Sequence, residues 1–444
     1  MTTAGKWPLM IALCLAIPAC TEQPDLAPLA ASLAQGTAGL GADRVPDDVA
    51  RGAFGQHIAR AVKAEPAITR STADIRAARA TKRAADGAFR PDVTAGASAQ
   101  RQIFDSGTED SASPFLRVSQ LVYDAGAARA DQTGAEARVF ESYARQIETG
   151  SRVTLEAVEV YKRLLSSRRL LAIAEENLRV LRGFADQIAE RVRSGAGSTA
   201  DSLTAQSRVA DAETQRIDAQ AQLERAEAAF RRLFAGIPPD LPQPVKAPPL
   251  PAGEADVIDQ SPRLRAATAA VTAAEADLAA ARARRQPSVE AGGTGRRALS
   301  GDGVDVAFDL TLNYSLDSRG ELRAAIEGAQ AQLAAAQAER DTLFREVREA
   351  LAFVRTDQSA GEARVIAARQ AVASNEASVD AAREQFSIGR RSMVDLLDAQ
   401  RDYVRAEETL IRAEQERFLT DYAALALTGD ILDVFDITLP EVTK

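Results

Sequence analysis

Hydrophobic positions along this chain recur with two different periods, and the points where one gives way to the other mark out its elements. From residue 127 to 193 apolar residues fall at Val153, Ala157, Val160, Leu164, Leu171, Ala174, Leu178, Leu181, Ala185, Ile188 and Val192. Their alternating spacing of three and four, broken only by Ser167, predicts a long helix with a coiled-coil seam. No proline interrupts the run, so at 1.5 Å per residue it amounts to roughly 100 Å of helix. A partial second seam through Leu155, Val158, Leu165 and Ala172 predicts neighbours on two sides. A return helix over 199–233 carries Val209, Ala212, Ala219, Leu223, Ala226, Phe230 and Leu233 in the same spacing.

Between helical stretches the period drops to two. Over 92–104, Val93, Ala95, Ala97, Ala99 and Ile103 alternate with polar residues, Arg101 being the exception on the apolar side. A polar loop, DSGTEDSAS, separates this strand from a second over 114–123. Two more are predicted at 288–297 and 304–316, on either side of Gly301-Asp302-Gly303. The last has the clearest pattern, with Val304, Val306, Phe308, Leu310, Leu312, Tyr314 and Leu316 against Asp305, Ala307, Asp309, Thr311, Asn313 and Ser315. About ten residues suffices for a tilted membrane-spanning strand. One face then suits lipid and the other water; a half-buried strand of a soluble sheet is the alternative.

The pattern repeats. Pro66 matches Pro262 and Pro91 matches Pro287, both at an offset of 196, and repetition of this kind is an architectural signal. The predicted organisation is a signal peptide at 1–19, an N-terminal tether at 20–47, a first structural repeat at 48–236 and a proline-rich linker at 237–260. A second repeat at 261–430 and a C-terminal tail at 431–444 follow. Each repeat reads helix, strand, strand, long helical hairpin, the second hairpin running over 321–385 and 393–427. The fold class is mainly α with a small β part.

Both hairpins turn on related sequences. FSIGRRSMVDLLDAQ at 386–400 has a fainter copy in AERVRSGAGSTADSLTAQS at 189–207. Aligned, Gly195 meets Gly389, Ser198 meets Ser392 and Asp201 meets Asp395. Gly195 and Gly389 suit the left-handed position that closes a helix. Ser198 and Ser392 can cap the next helix, with Asp201 and Asp395 three residues on completing a capping box. A caps-only account is available for Asp201, alongside a functional one. Asp395 has a second carboxylate, Asp398, three residues along the same face, and two like charges there help no isolated helix.

Composition narrows the class. Apolar residues make up 46% and aromatics only 5%, and the difference is largely alanine, which suits long, closely packed helices. Lys6, a short apolar run and Ile17-Pro18-Ala19-Cys20 look like an export signal, with Cys20 as the lipidated first mature residue; an ordinary signal cleaved nearby is the alternative. The other cysteine, Cys14, lies inside that signal, so no disulfide or thiolate metal site is expected. One histidine, His57, leaves no histidine cluster, and GAGSTAD lacks a phosphate-binding lysine. A net charge of −9 gives no footprint for nucleic acid. No acid, base and nucleophile converge, so the chain reads as neither an enzyme nor a cofactor protein.

Helix, two strands and a long helical hairpin, repeated across a proline-rich linker, resembles the TolC family of outer-membrane efflux proteins. The segment at 384–431, EQFSIGRRSMVDLLDAQRDYVRAEETLIRAEQERFLTDYAALALTGDI, is similar to the most recognisable stretch of that family, and Leu121-Val122-Tyr123-Asp124-Ala125-Gly126 is similar to its strand-to-helix motif, with Ala-Gly in place of two glycines. The resemblance implies a homotrimer whose four strands per chain close one 12-stranded β-barrel in outer-membrane lipid above a periplasmic α-helical barrel. Trimer closure would remove the sheet edges that lipid does not tolerate. It implies a periplasmic adaptor (membrane fusion) protein and an inner-membrane ABC or proton-driven transporter as partners. Carried over residue by residue, Asp395 and Asp398 would be the pore-constriction carboxylates and Asp201, Phe386 and Arg391 the gate network. Phe386 stands where a hydrogen-bonding tyrosine is usual, so a link through that hydroxyl is absent. The reading outside this family is a soluble periplasmic coiled-coil adaptor or scaffold without a barrel.

Overall fold

A computed structural model describes residues 24–34, 47–104, 107–195, 197–237, 241–249, 254–297 and 303–440. The expected signal peptide and Cys20 lie outside them. In chain order come α1 (Ala27–Ala34), α2 (Asp47–Arg51), α3 (Ala53–Ala64), α4 (Pro66–Asp86), β1 (Asp92–Phe104), β2 (Gly107–Tyr123), α5 (Ala127–Arg193) and α6 (Thr199–Phe234). There follow α7 (Glu254–Gln260), α8 (Pro262–Ala283), β3 (Ser288–Arg297), β4 (Val304–Asn313), α9 (Glu321–Ser387), α10 (Met393–Thr428) and α11 (Ile431–Val434). The duplication is visible in the lengths: α5 and α9 each have 67 residues, α6 and α10 each 36. Pro66 and Pro262 open α4 and α8, where a missing N–H costs nothing. No helix among the described residues is long and apolar enough to cross a membrane.

The chain divides into two compact units. One comprises 1–34, 74–143 and 266–342 and holds a single antiparallel sheet in the order β1-β2-β3-β4. β1 and β2 pair from Asp92↔Ser119 to Phe104↔Gly107, so residues 107–113, expected in a polar loop, are strand. A hairpin ladder is made by the backbone, and polar side chains do not oppose it. β4 stops at Asn313 rather than 316, because its partner β3 begins at Ser288, directly after Pro287, which has no N–H to donate. Helix packing in this unit uses small residues, with Ala130 against Ala279 and Ala280. Part of the expected tether is ordered as α1, whose Leu29 packs with Ala137, Ala269 and Ala273.

The strand-to-helix junctions share one device. Asp124 accepts from the N–H groups of Gly126 and Ala128 at 3.0 and 2.6 Å, and Asp317 accepts from Leu322 and Arg323 at 2.9 and 3.2 Å. Each carboxylate satisfies N–H groups that the first turn leaves free. Ala125, the alanine of the reduced motif, takes φ 55°, a left-handed conformation that glycine adopts at lower cost.

The second unit comprises 35–73, 144–265 and 343–444. Its core gathers the bulky residues of an otherwise alanine-rich chain. Phe54 lies edge-on to Tyr161 at 4.9 Å and to Phe435 at 5.7 Å, while Tyr422 stacks on Phe435 at 5.6 Å. The hydroxyls of Tyr161 and Tyr422 donate to the carbonyls of Pro242 and Val245 at 2.7 and 2.8 Å, so the proline-rich linker is clasped to the core. Burial pushes the Tyr161 hydroxyl up to about 12, keeping it a donor. The proline-rich linker ends in a helix, α7, and the C-terminal tail opens with another, α11: Ile431, Leu432, Val434 and Phe435 are buried in this core, the apolar face of ILDVFDI having a partner to cover it.

Candidate functional site

The hairpin tips are built from local chemistry first. α5 and α9 end at glycines in the left-handed region, Gly195 at φ 76° and Gly389 at φ 72°. A Cβ at either would meet nothing within 4 Å, so conformation and not space asks for glycine. After Gly389 the Arg390 N–H donates to the Gln385 carbonyl at 2.9 Å and the Gly389 N–H to Phe386 at 3.1 Å, closing the last turn of α9.

Each return helix starts on a serine. Ser198 Oγ accepts from Ala200 N at 3.1 Å, and Ser198 N donates to Asp201 Oδ2 at 3.4 Å. Ser392 Oγ accepts from Asp395 N at 3.2 Å, while Ser392 N and Oγ donate to Asp395 Oδ2 at 3.3 and 2.8 Å. The hydrogen bonds from the Ser392 side chain and backbone, then the charge of Arg391, hold the Asp395 carboxyl below the usual carboxylate range. Asp201 and Asp395 are thus both folded back onto their own caps.

Asp398 has different neighbours. Arg401 Nη1 pairs with it at 3.0 Å, one helical turn on, and Arg208 Nη2 reaches it from α6 at 3.9 Å. Its partners Arg208 and Arg401 line a cleft of about 260 Å³ together with Asn177, Asp211 and Leu397. Gln400 donates to Asn177 at 3.2 Å, both side chains buried.

The three residues expected to form one gate network do not meet. Asp201 serves its cap, and Arg391 is exposed and makes no ion pair among the described residues. Phe386 is buried in a cluster with Phe184, Ile188, Met393 and Leu396. What meets Phe386 is Arg191, near the end of α5. Its guanidinium carbon stands 4.4 Å from the ring centre, and Nη2 donates to the carbonyls of Phe386 and Ser387 at 3.1 and 3.2 Å. Sequence reasoning passed over Arg191 because a cation in the last turn of a helix is ordinary.

Further along the same helices the ion pairs tie the two hairpins together. Glu414 of α10 takes Arg169 of α5 at 3.0 Å and Arg369 of α9 at 3.1 Å. Burial pushes its carboxyl up, and the two arginine hydrogen bonds more than reverse this, so it sits below the ordinary range.

Comparison with known proteins agrees with this architecture. The family described as Outer membrane efflux protein matches residues 58–236 and 255–428, leaving out only the ends and most of the linker. Outer membrane efflux protein BepC of Brucella suis biovar 1 is 24% identical over 383 residues, 84% of this chain and 84% of that protein. The solved outer-membrane channel OprN superposes with a TM-score of 0.78 at 22% identity, over 84% of this chain and 89% of that one. The outer membrane protein VceC of Vibrio cholerae gives 0.76 at 17% identity, over 87% and 97%.

Proposed function

This chain belongs to the outer membrane efflux protein family, and on that premise we propose that it is a passive exit duct whose periplasmic entrance is the pair of helical tips. It resides in the cell outer membrane and extends into the periplasm. The soluble adaptor or scaffold has no support from this membership. The observation that carries the reading is the sheet. β1 and β4 each have one neighbour, and an open edge is not viable in lipid. Three copies, β4 of one beside β1 of the next, would close it into a barrel.

In such a trimer Asp395 and Asp398 recur three times around one axis and form the constriction. Asp395, exposed, keeps its charge while Oδ2 serves the Ser392 cap, and Asp398 is offset in charge by Arg401 and Arg208. A ring of this kind favours cations and disfavours anions. A periplasmic adaptor docks on the tips and opens them, linking the duct to an inner-membrane transporter, proton-driven or ABC, in an efflux pump or a type I secretion system. The name of the Brucella relative favours efflux. Cys20, once acylated, adds an anchor, and the repeats at 48–236 and 261–430 are the two halves of each wall.

Alanine at both Asp395 and Asp398 tests the entrance. In planar bilayers the purified trimer is expected to lose block by polyvalent cations by about tenfold, equivalent to about 1.4 kcal/mol. Unchanged conductance and block would remove the ring assignment.

A further inference from the structure

At the tips one arginine reaches across from the first hairpin to the end of the second hairpin's outgoing helix. Arg191 belongs to the last turn of α5, and Phe386 and Ser387 are the last residues but one and the last of α9. At 4.4 Å from the ring centre the guanidinium is well inside the range of cation–π attraction. The carbonyls that it takes at 3.1 and 3.2 Å belong to the turn that α9 leaves without internal donors, at the end of the helix dipole that favours a cation. Among the described residues Arg191 pairs with no carboxylate, and its Nη2 is committed to the other hairpin. Phe386 in turn has its remaining surface in a core shared with Phe184 and Ile188 of α5 and Met393 and Leu396 of α10.

We infer that Arg191 is the latch of the closed tip: stacked over Phe386, with Nη2 shared between two α9 carbonyls, it holds the first hairpin to the second. This rests on the tips being the entrance. The chemistry explains the phenylalanine. A ring with no hydroxyl offers no hydrogen bond to a carboxylate, but its face attracts a guanidinium, whose Nη2 is taken by backbone that no substitution at 386 removes. Moving the end of α9 away from α5 breaks the ring contact and both carbonyl bonds together, so the link is made or lost as a unit. Asp398 and Arg208 at 3.9 Å form a looser bridge between the same hairpins. Arg191 acts through position and touches no cargo.

The test is single-channel recording on the purified full-length trimer, with thermal unfolding measured alongside. Arg191→Ala is expected to raise the fraction of time in the high-conductance state about tenfold, a change of about 1.4 kcal/mol. Arg191→Lys, which keeps the charge but not the planar guanidinium that lies over the ring, is expected to fall between. Phe386→Leu, which keeps core volume, should open the channel too, and adding Arg191→Ala to it should add little. Should Arg191→Ala yield no trimer, the lysine and leucine variants carry the same comparison. If Arg191→Ala lowers thermal stability yet leaves conductance unchanged while the Asp395/Asp398 double variant loses cation block, the tip is the entrance and the latch is overturned. If both are silent, the entrance reading falls with it.

Discussion

Ser392 and Asp395 show how much one residue settles by its distance from the next. The serine needs an acceptor three residues on, the aspartate needs a donor three residues back, and both lie within one turn, so no tertiary contact is required to form the pair. Ser392→Ala is expected to cost the start of α10 about 1 kcal/mol, read as faster amide exchange over its first turn with α9 unaffected. The same rule misjudges Arg191. Its partners are 195 and 196 residues away, and nothing in the turn around it marks it out from Arg193, which pairs within its own helix with Glu190. Arg391 is the converse case: adjacent to the capping serine and expected in a network, it faces solvent, because the tip core already has Met393 and Leu396 filling the space behind it.

Elements were legible where their period was long or clean. The α5 seam predicted from spacing agrees with burial at Val153, Ala157, Val160, Leu164, Ala174, Leu178, Leu181 and Ile188. It loosens at Leu171 and Val192, which are only partly buried, and slips where Phe184 is buried and Ala185 only partly so. A real helix advances 3.6 residues per turn, not 3.5, and the larger side chain takes the core position. In β4 Phe308, Leu310 and Leu312 are 86%, 72% and 64% exposed, a row that water alone would not retain. Leu310→Arg is expected to cost about 2–4 kcal/mol if the row faces mid-bilayer lipid, seen as loss of heat-resistant trimers from the outer-membrane fraction. Thr311→Arg, on the opposite face, should be tolerated. The β1–β2 hairpin was under-read because alternation detects a face with a solvent preference, and the ladder continues past the last residue that has one.

For the whole molecule, stability against pH is governed by carboxylates pulling in opposite directions. Asp395, held below the usual range, contributes stability above its unfolded pKa and loses it as pH falls through the lowered folded value. Glu407 is pushed up, first by burial and then by the charges of Glu376 and Glu176, with a hydrogen bond from Tyr403 opposing them. An acid whose folded pKa is raised weakens the fold as pH climbs from the unfolded value to the folded one, and the penalty persists above. Glu407→Gln, which can still accept from Tyr403, is therefore expected to raise Tm at neutral pH. The gain should shrink to nothing as pH falls below the ordinary carboxylate range, as measured by calorimetry on the purified trimer.

The sequence by itself determined what depends on short separations or on repetition: the seams of the long helices, the caps at Ser198 and Ser392, the alternation of β4 and the duplication that places this chain in its family. Each is a pattern complete within a few turns or copied at a constant offset. Only the tertiary structure decided which charges meet. Asp398 lies between Arg401 and Arg208, Phe386 under Arg191, the linker under the hydroxyls of Tyr161 and Tyr422, and the 431–440 segment against the aromatic core. Apart from Asp398 and Arg401, three residues apart on one helix, those pairings join residues tens to hundreds of positions apart, and among 54 Lys and Arg and 63 Asp and Glu many partners are chemically equivalent until the backbone brings one of them within reach.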